Sequence, residues 1–551
     1  MSRGRRRRKP DERGRVPSPQ SVDVDPEELR AIVDRAQQQP LSSDEHTKLA
    51  ALIDTLVFLT EELRASGASI ERLRRLLFGT KSETTQDVLG ALAAPQTQPD
   101  PAAPQTRPKP PGHGRHAATT YLAAAEKVAV PHPTVHQGDL CPECARGRVR
   151  PTPEPVRVVR FRGIAPLQIR LYEKERLRCA SCGEVFTAPS PEGVGDKKYD
   201  ETATAMVALM KYGSGLPFNR IEKLHAGLGI PLPASTQWEV VRDGAELLAA
   251  PHEELLRQAA QSQVLYNDDT TAKILDLTPK ERAEALSLEK ADERTGVFTS
   301  GIVATGEDHK IAVFCTGVRH AGENLADVLR RRQQQLPHPI QMCDGSANNT
   351  CGDFAAILGN CLAHARRKYV EVVDNFPAEC AHVLKLLGQV YAHDAEAKKL
   401  DLAADERLAL HQQKSAPLMD ELQQWGRQQI AEHKIEPHSG LGAAIAYMQR
   451  RWDALTLFLR QPGAPLDSNL VERALKKAIL HRKNSLFFKS TKGARVADLY
   501  MSLIHTCELN RANPFDYLVT LLRHHRAVAH APADWMPWTY LAALENLHRG
   551  P

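Results

Sequence analysis

No run of apolar residues in this sequence is long enough to cross a bilayer, and the N-terminus lacks the hydrophobic stretch of a secretory signal. A membrane protein and a secreted one are therefore not expected. Cysteine is sparse: ten in 551 residues, mostly scattered, with four paired as two Cys-x-x-Cys steps. In the absence of a secretion signal, that pattern argues against a disulfide framework and for metal binding in a reducing compartment. Net charge is also low, at +5. Its unevenness matters more than its total. Arg3, Arg5, Arg6, Arg7, Arg8, Lys9, Arg13 and Arg15 crowd the N-terminus, and Lys/Arg clusters recur downstream. Such clusters suit nucleic acid; a solvated basic tail is the common alternative.

The chain is long enough for three or four domains and at least one sizeable core. Residues 1–44 form a basic tail, rich in Pro and Gln, expected to be disordered. Residues 45–84 carry a leucine-rich helical pattern, Leu49, Leu52, Ile53, Leu56, Leu59 and Leu63, then Ile70, Leu73, Leu76 and Leu77, broken near Ser66-Gly67. A self-associating coiled coil and an intramolecular amphipathic helix both fit, because the heptads are too few to decide. Residues 85–112, rich in Ala, Pro, Gln and Thr, read as a linker.

A zinc-binding domain is expected over residues 113–190. Cys141-Pro-Glu-Cys144 and Cys179-Ala-Ser-Cys182 stand 34 residues apart. Four thiolates in two pairs make a closed tetrahedral shell for one structural Zn²⁺. The alternating segment between them, turning at Gly163 and Pro166, suggests a ribbon hairpin. Its arginines (Arg157, Arg160, Arg162, Arg170, Arg176 and Arg178) suit phosphate contact or a solvated face equally. Residues 191–258 read as helical, with helices over 219–226 and 235–248 broken at 227–233. They could be a helix-turn-helix, but the break exceeds the usual turn of about three or four residues and favours a plain hairpin.

The pattern then changes to strands. Val264–Asp269, 297–305 and 310–316 are strand candidates; a helix over 323–332 follows, and then a short strand ending at Asp344. Three strands, a helix and a fourth strand match the opening of an RNase H-like core, in which the first and fourth strands lie side by side. Its first part spans 259–376, interrupted by a helical insertion at 377–462. A second part at 463–500 and a helical C-terminal region at 501–551 follow. Within the second part, Asp467 or Ser468 can cap a helix on which Leu470, Ala474, Leu475, Ala478 and Ile479 form an apolar stripe. Glu472 lies off that stripe among Arg473, Lys476, Lys477, Arg482 and Lys483. It is either the partner of Lys476 at i,i+4 or a metal ligand with Asp268 and Asp344. Three carboxylates around an open site are what two-metal phosphoryl transfer needs: hard Mg²⁺ takes oxygen ligands, and Lys/Arg neutralise the nucleic-acid backbone. Cys361-Leu-Ala-His364 shows only two candidate ligands, so a structural role is expected, with Cys361 buried in the strand after Asp344 and His364 hydrogen-bonded near the site.

Several ordered segments carry a resemblance. They are Leu77-Phe-Gly-Thr-Lys-Ser-Glu83, His113-Gly-Arg115 with the two cysteine pairs, Lys211-Tyr-Gly-Ser-Gly-Leu-Pro217, Asp268-Asp-Thr270, Asp344-Gly345, Asn360-Cys-Leu-Ala-His-Ala-Arg-Arg-Lys368, Asp467-Ser-Asn-Leu-Val-Glu-Arg473 with Arg482-Lys-Asn484, and Asn513-Pro-Phe-Asp-Tyr-Leu518. Over most of its length the chain resembles the large (TnpC-type) transposase of the insertion-sequence-sixty-six family, a bacterial DDE transposase. The resemblance implies an α/β protein that cleaves and rejoins DNA at the ends of an insertion sequence. Asp268, Asp344 and Glu472 would hold two Mg²⁺ or Mn²⁺ ions; Cys141, Cys144, Cys179 and Cys182 would hold zinc. Arg366, Arg367, Lys368, Arg473, Lys476, Arg482 and Lys483 are the expected DNA contacts. Implied partners are double-stranded DNA (terminal repeats and target), further copies of the chain and accessory proteins of the same element, in the bacterial cytoplasm at the nucleoid. Asp269 stands where the family has Glu, and Ser468 where it has Asn. Strand alternation lets only one of Asp268 and Asp269 face the site, and the motif register selects Asp268. A zinc-containing DNA-binding protein without catalysis, such as a domesticated copy, is the alternative, and a nuclease on the same core a third. All three acids are present, which favours the enzyme.

Overall fold

The apolar run that opens Val264–Thr271 folds as the middle strand of a five-stranded sheet. In this computed structural model two short strands precede it, β1 (Arg176–Arg178) and β2 (Val185–Thr187), so it is β3. It is followed by β4 (Phe298–Thr305), β5 (Lys310–Gly317), β6 (Ile340–Cys343) and β7 (Ile357–Asn360). The structure describes a few residues between 42 and 50, residues 130–150 and 165–178, residues 185–286 except 193, 195 and 196, and residues 294–352 and 354–549. The linker, nearly all of the basic tail and of the leucine-rich segment, and Cys179 and Cys182 lie outside the described residues. The chain divides into two units, Met1–Ala93 and Ala94–Pro551, and the sheet belongs to the second.

The sheet order is β5-β4-β3-β6-β7. β4 runs antiparallel to both β3 and β5, while β6 runs parallel to both β3 and β7. The first and fourth strands of the sheet are thus neighbours, an order compatible with the RNase H-like expectation. β4 is buried from Thr299 to Ala304 because both its edges are paired and both its faces covered.

Before the sheet come α1 (Glu201–Ala208), α2 (Phe218–Gly227), α3 (Ala234–Leu247) and α4 (Ala249–Gln261). Asp200 caps α1 by accepting the Ala203 N–H. The α2–α3 turn is tied inward, the Gln237 amide donating to the carbonyls of Leu232 and Phe218. The outer face of α3 presents exposed Glu239, Asp243 and Glu246, an acidic surface poorly suited to a DNA groove. α5 (Pro279–Ala285) lies between β3 and β4, and α6 (Ala321–Leu329) between β5 and β6.

After β7 the chain is helical: α7 (Leu362–Val370), α8 (Pro377–Lys399), α9 (Ala404–Leu410), α10 (Ala416–Ala431), α11 (Gly440–Arg450) and α12 (Trp452–Leu455). Then come α13 (Asn469–Ser485), α14 (Thr491–Leu509), α15 (Pro514–Arg523), α16 (His525–His530) and α17 (Tyr540–Arg549). Among the described residues no helix is long and apolar enough to cross a membrane.

The core lies between the sheet and its helices, with Ile302, Val303, Ile311 and Val313 packed in one cluster with Leu325, Val471, Leu503 and Ile504. Each such side chain contributes about 1.5–3 kcal/mol on burial. β5 is an edge strand whose outward amides would be exposed templates, and α14 covers them. Asn510, Thr506, Ser502 and Asp498 accept from the N–H groups of Lys310, Ala312, Phe314 and Thr316, at 3.0, 3.0, 3.0 and 2.6 Å. The match is geometric: two strand residues rise about 6.7 Å and four helical residues about 6.0 Å.

Candidate active site

The pairing register brings two acids together. Tyr266 on β3 lies opposite Met342 on β6. Carried two residues further, that register sets Asp268 opposite Asp344, just past the end of β6. A buried amide network fixes the turn above them. The side chains of Asn267 and Gln341, on adjacent strands, both donate to the carbonyl of Asn349, each at 2.6 Å. Asn349 is itself 4% exposed, and its Nδ2 spans the acids, 3.2 Å from Asp268 Oδ1 and 2.9 Å from Asp344 Oδ1. The helices after β7 brace the same turn. Tyr447 on α11 donates to the Asp344 carbonyl at 2.8 Å, and Arg451 donates to that of Gly345. Gly345 has φ +81°, and a Cβ there would meet Arg451 Nε at 2.8 Å, so glycine is required.

Glu472 arrives on α13. Gly301 on β4 pairs with Asp268, and the space above it is filled by Leu475 and Val471, which a Cβ on Gly301 would meet at 2.9 and 3.3 Å. That close approach seats the helix on the sheet, and from there the charge of Glu472 acts on Asp268. The Glu472 carboxylate faces His364, Nδ1 to Oε1 3.7 Å, and also accepts from Ser468 Oγ at 3.5 Å. The buried face of α13 is Val471, Ala474, Leu475, Ala478 and His481. This corrects the expected stripe: Leu470 and Ile479 are only half-buried, because the helix begins at Asn469 and is rotated toward β4. At its N-terminus Asp467 accepts the Asn469 N–H at 3.1 Å. Its far end meets the Lys211–Pro217 segment, Lys211 Nζ donating to Ser485 Oγ at 2.9 Å and Asn484 to the Gly215 carbonyl at 3.1 Å.

Strand alternation separates the adjacent aspartates. Asp269 points to the other side, accepting from Ser300 Oγ, facing His320 Nδ1 and taking the Ala321 N–H at the start of α6, at 2.7, 2.8 and 3.1 Å. Burial pushes the Asp268 carboxyl up, to about 6; the Asp269 backbone N–H opposes this, the charges of Asp344 and Glu472 add to it, and His364 offsets part. Asp268 and Asp344, held by one amide, offer carboxylate oxygens of the kind a hard divalent cation takes, and the charge of Glu472 acts on Asp268.

Cys361 is fully buried, as expected, but it caps α7 and does not lie within a strand. Its thiol is pushed up by burial, against hydrogen bonds from Ser468 and from the His364 backbone. Among the expected DNA contacts, Arg367, Lys368, Arg473, Lys476 and Lys483 are exposed and Arg366 is half-buried. Arg482 is committed elsewhere, donating to Thr270 Oγ1 and the Thr271 carbonyl at the end of β3. Of the four cysteines expected to hold zinc, Cys141 and Cys144 are described. A tight turn returns the Ala145 N–H to the Cys141 carbonyl at 2.9 Å, and backbone N–H groups of Gly147 and Arg146, with Cys141, hold the Cys144 thiol below its ordinary value. β1 and β2 pair with Arg178 opposite Val185, flanking the second cysteine pair in the chain.

Sequence reasoning missed Asn349, Tyr447 and Arg451. Each reaches the site through tertiary hydrogen bonds, which leave no local pattern; the one signal for Asn349 was its place in a polar turn just after Asp344.

Residues 197–496 match the family model described as "Transposase IS66 family", a span that contains all three acids and ends within α14. Two similar proteins come from Sinorhizobium fredii (strain NBRC 101917 / NGR234). "Uncharacterized protein y4jD" is 26% identical over 510 residues, covering 87% of this chain and 93% of its own length. "Uncharacterized protein y4hP" is 25% identical over 391 residues, covering 67% and 68%.

Proposed function

The chain belongs to the IS66 transposase family, and from that premise we propose that it cleaves and rejoins DNA strands at the ends of an insertion sequence, with Asp268, Asp344 and Glu472 holding the divalent metals. The observation that supports this reading is the amide of Asn349 spanning Asp268 and Asp344, with the charge of Glu472 acting on Asp268 from the helix packed over Gly301. Bound there, two Mg²⁺ or Mn²⁺ ions supply activation of the attacking oxygen and stabilisation of the leaving one. The protein's own residues do the positioning. Asn349 holds the two aspartates at fixed separation, Tyr447 and Arg451 fix the Asp344 turn, and Arg482 ties α13 to β3. Arg367, Lys368, Arg473, Lys476 and Lys483 would contact phosphates, with affinity falling steeply as salt rises. Cys141, Cys144, Cys179 and Cys182 would hold one structural zinc, and residues 45–84 would bring copies together at paired DNA ends.

The test is incubation of purified protein with element-end DNA and Mg²⁺ or Mn²⁺, scoring nicking and joining, with metal analysis of the same preparation for zinc. Replacing Asp268, Asp344 or Glu472 singly by Ala should abolish both reactions and leave DNA binding within about threefold, since affinity comes mainly from Lys/Arg–phosphate contacts. Losses should not add between variants, because one missing ligand already disables the site. DNA binding without cleavage by the wild type would instead favour a non-catalytic DNA-binding protein.

A further inference from the structure

Glu472 stands between two chemically unlike sets of side chains. On the sheet side its charge acts on Asp268, which shares the Asn349 amide with Asp344. Toward α7 are Cys361 and His364, and Cys361 Sγ, a His364 ring nitrogen and a Glu472 carboxylate oxygen all lie within 4.8 Å of one another. His364 Nδ1 is buried and has no hydrogen-bond partner, the nearest Glu472 oxygen being 3.7 Å away. A buried nitrogen left without a partner is costly and calls for an explanation, an ion or water bound there being one. The sulfur is within reach of donors as well: Cys361 Sγ accepts the Ser468 N–H at 3.2 Å at the N-terminus of α7, although burial keeps the thiol protonated until a metal displaces the proton. Cys361 and His364, three residues apart across the first turn, face the same side.

The geometry points to a transition-metal site in which Cys361, His364 and Glu472 hold one Zn²⁺. Sulfur, imidazole nitrogen and a single carboxylate oxygen suit a borderline cation, whereas Mg²⁺ selects oxygen alone. A small rotation of Glu472 and His364 would draw the ligands to zinc distances of about 2.0–2.3 Å. The ion forms bonds to sulfur, nitrogen and oxygen; the Cys361 thiol proton leaves to solvent and nothing is oxidised or reduced. His364 and Glu472 are 23% and 27% exposed, which gives the ion a route in and leaves a fourth position for water. Zinc bound here would withdraw Glu472 from Asp268 and Asp344 and so oppose strand cleavage. That last consequence, unlike the site, rests on the proposed catalytic triad.

The experiment is titration with Co²⁺ of full-length protein whose weakly held zinc has been removed by brief chelation and its remaining zinc counted, since Co²⁺ reports thiolate ligation by a charge-transfer band. The wild type should take up one Co²⁺ more than either Cys361→Ser or His364→Ala, with the band present and Zn²⁺ displacing it. The ribbon cysteines are common to all three proteins, so the difference isolates this site. Cys361→Ser retains an acceptor for the Ser468 N–H, and melting temperatures identify any variant that has lost its fold. In each variant affinity should drop more than about 100-fold, because even an outer partner of a metal ligand is worth about 10–100-fold. Equal uptake by the wild type and a folded variant, or uptake without the thiolate band, overturns the site. Asp268→Asn separates the two ideas: it should keep the extra Co²⁺ while abolishing cleavage. Cleavage that survives Asp268→Asn would remove the triad and leave the zinc site standing.

Discussion

Asn349 uses its two ends for different tasks. Its backbone carbonyl is held by amides from two strands, while its side-chain amide donates to both aspartates. A donor on the Asp268 carboxylate favours its charged form and opposes the burial, and the lesser repulsion from Asp344 and Glu472, that raise it. Asn349→Ala should therefore lower strand cleavage about 10–100-fold, the usual cost of losing an outer partner of metal ligands, and leave DNA binding within about twofold. A gel-shift titration beside a cleavage time course would check this; unchanged cleavage would mean that the amide is incidental. The aspartates were legible because strand ends and a parallel register are written in local sequence. Asn349 was not, since nothing local says which polar turn residue will lie over a neighbouring strand. Nor did periodicity say what Asp269 does: it anchors β3 to the start of α6, a structural task hidden beside an acid of similar appearance.

Among the elements, the pairing of α14 with the edge of β5 decides how the sheet ends. The first four strands of the sheet were legible to within about two residues, because apolar runs bounded by turns are local signals, whereas β7 was given no bounds. The helix was less so: α14 runs unbroken through residue 500, where a boundary between the core and the C-terminal region was expected. Its face toward β5 is polar, with Asp498, Ser502 and Thr506 all buried, so no apolar stripe announces that it belongs to the sheet. A buried amide stripped of its acceptor costs about 1–3 kcal/mol. Ser502→Ala, which orphans the Phe314 N–H, should lower stability by about that amount in urea unfolding and speed exchange of the Phe314 amide. Stability within about 0.3 kcal/mol of wild type would show that the edge is held by apolar packing alone.

Over the whole molecule, two buried carboxylates tilt the pH dependence of folding in opposite directions. For Asp394 on α8, burial would raise the carboxyl, but the His411 ring 3.4 Å away, Lys398 Nζ at 2.6 Å and the Arg407 guanidinium at 2.7 Å outweigh it and hold the group well below the usual carboxylate range. Its contribution is present above the unfolded value of about 3.9 and is lost as pH falls below it. Asp498 on α14 behaves oppositely. Complete burial pushes its carboxyl up to about 7, against hydrogen bonds from the Thr316 side chain and backbone and the charge of Arg495. The unfolded chain releases this proton near pH 4, the folded one only near 7, so rising pH between those values favours unfolding and the effect levels off above them. Asp498→Asn keeps an oxygen for the Thr316 N–H and cannot ionise. Its stability relative to wild type should rise by about 2–3 kcal/mol between pH 5 and pH 8, a shift of about three pH units in one buried group being worth about 4 kcal/mol in full. Urea unfolding of both proteins at the two pH values measures this directly, and the other titrating groups are common to both. A stability difference that stays flat from pH 5 to pH 8 would mean that Asp498 is already charged in the folded protein at the lower pH, held so by Thr316 despite its burial.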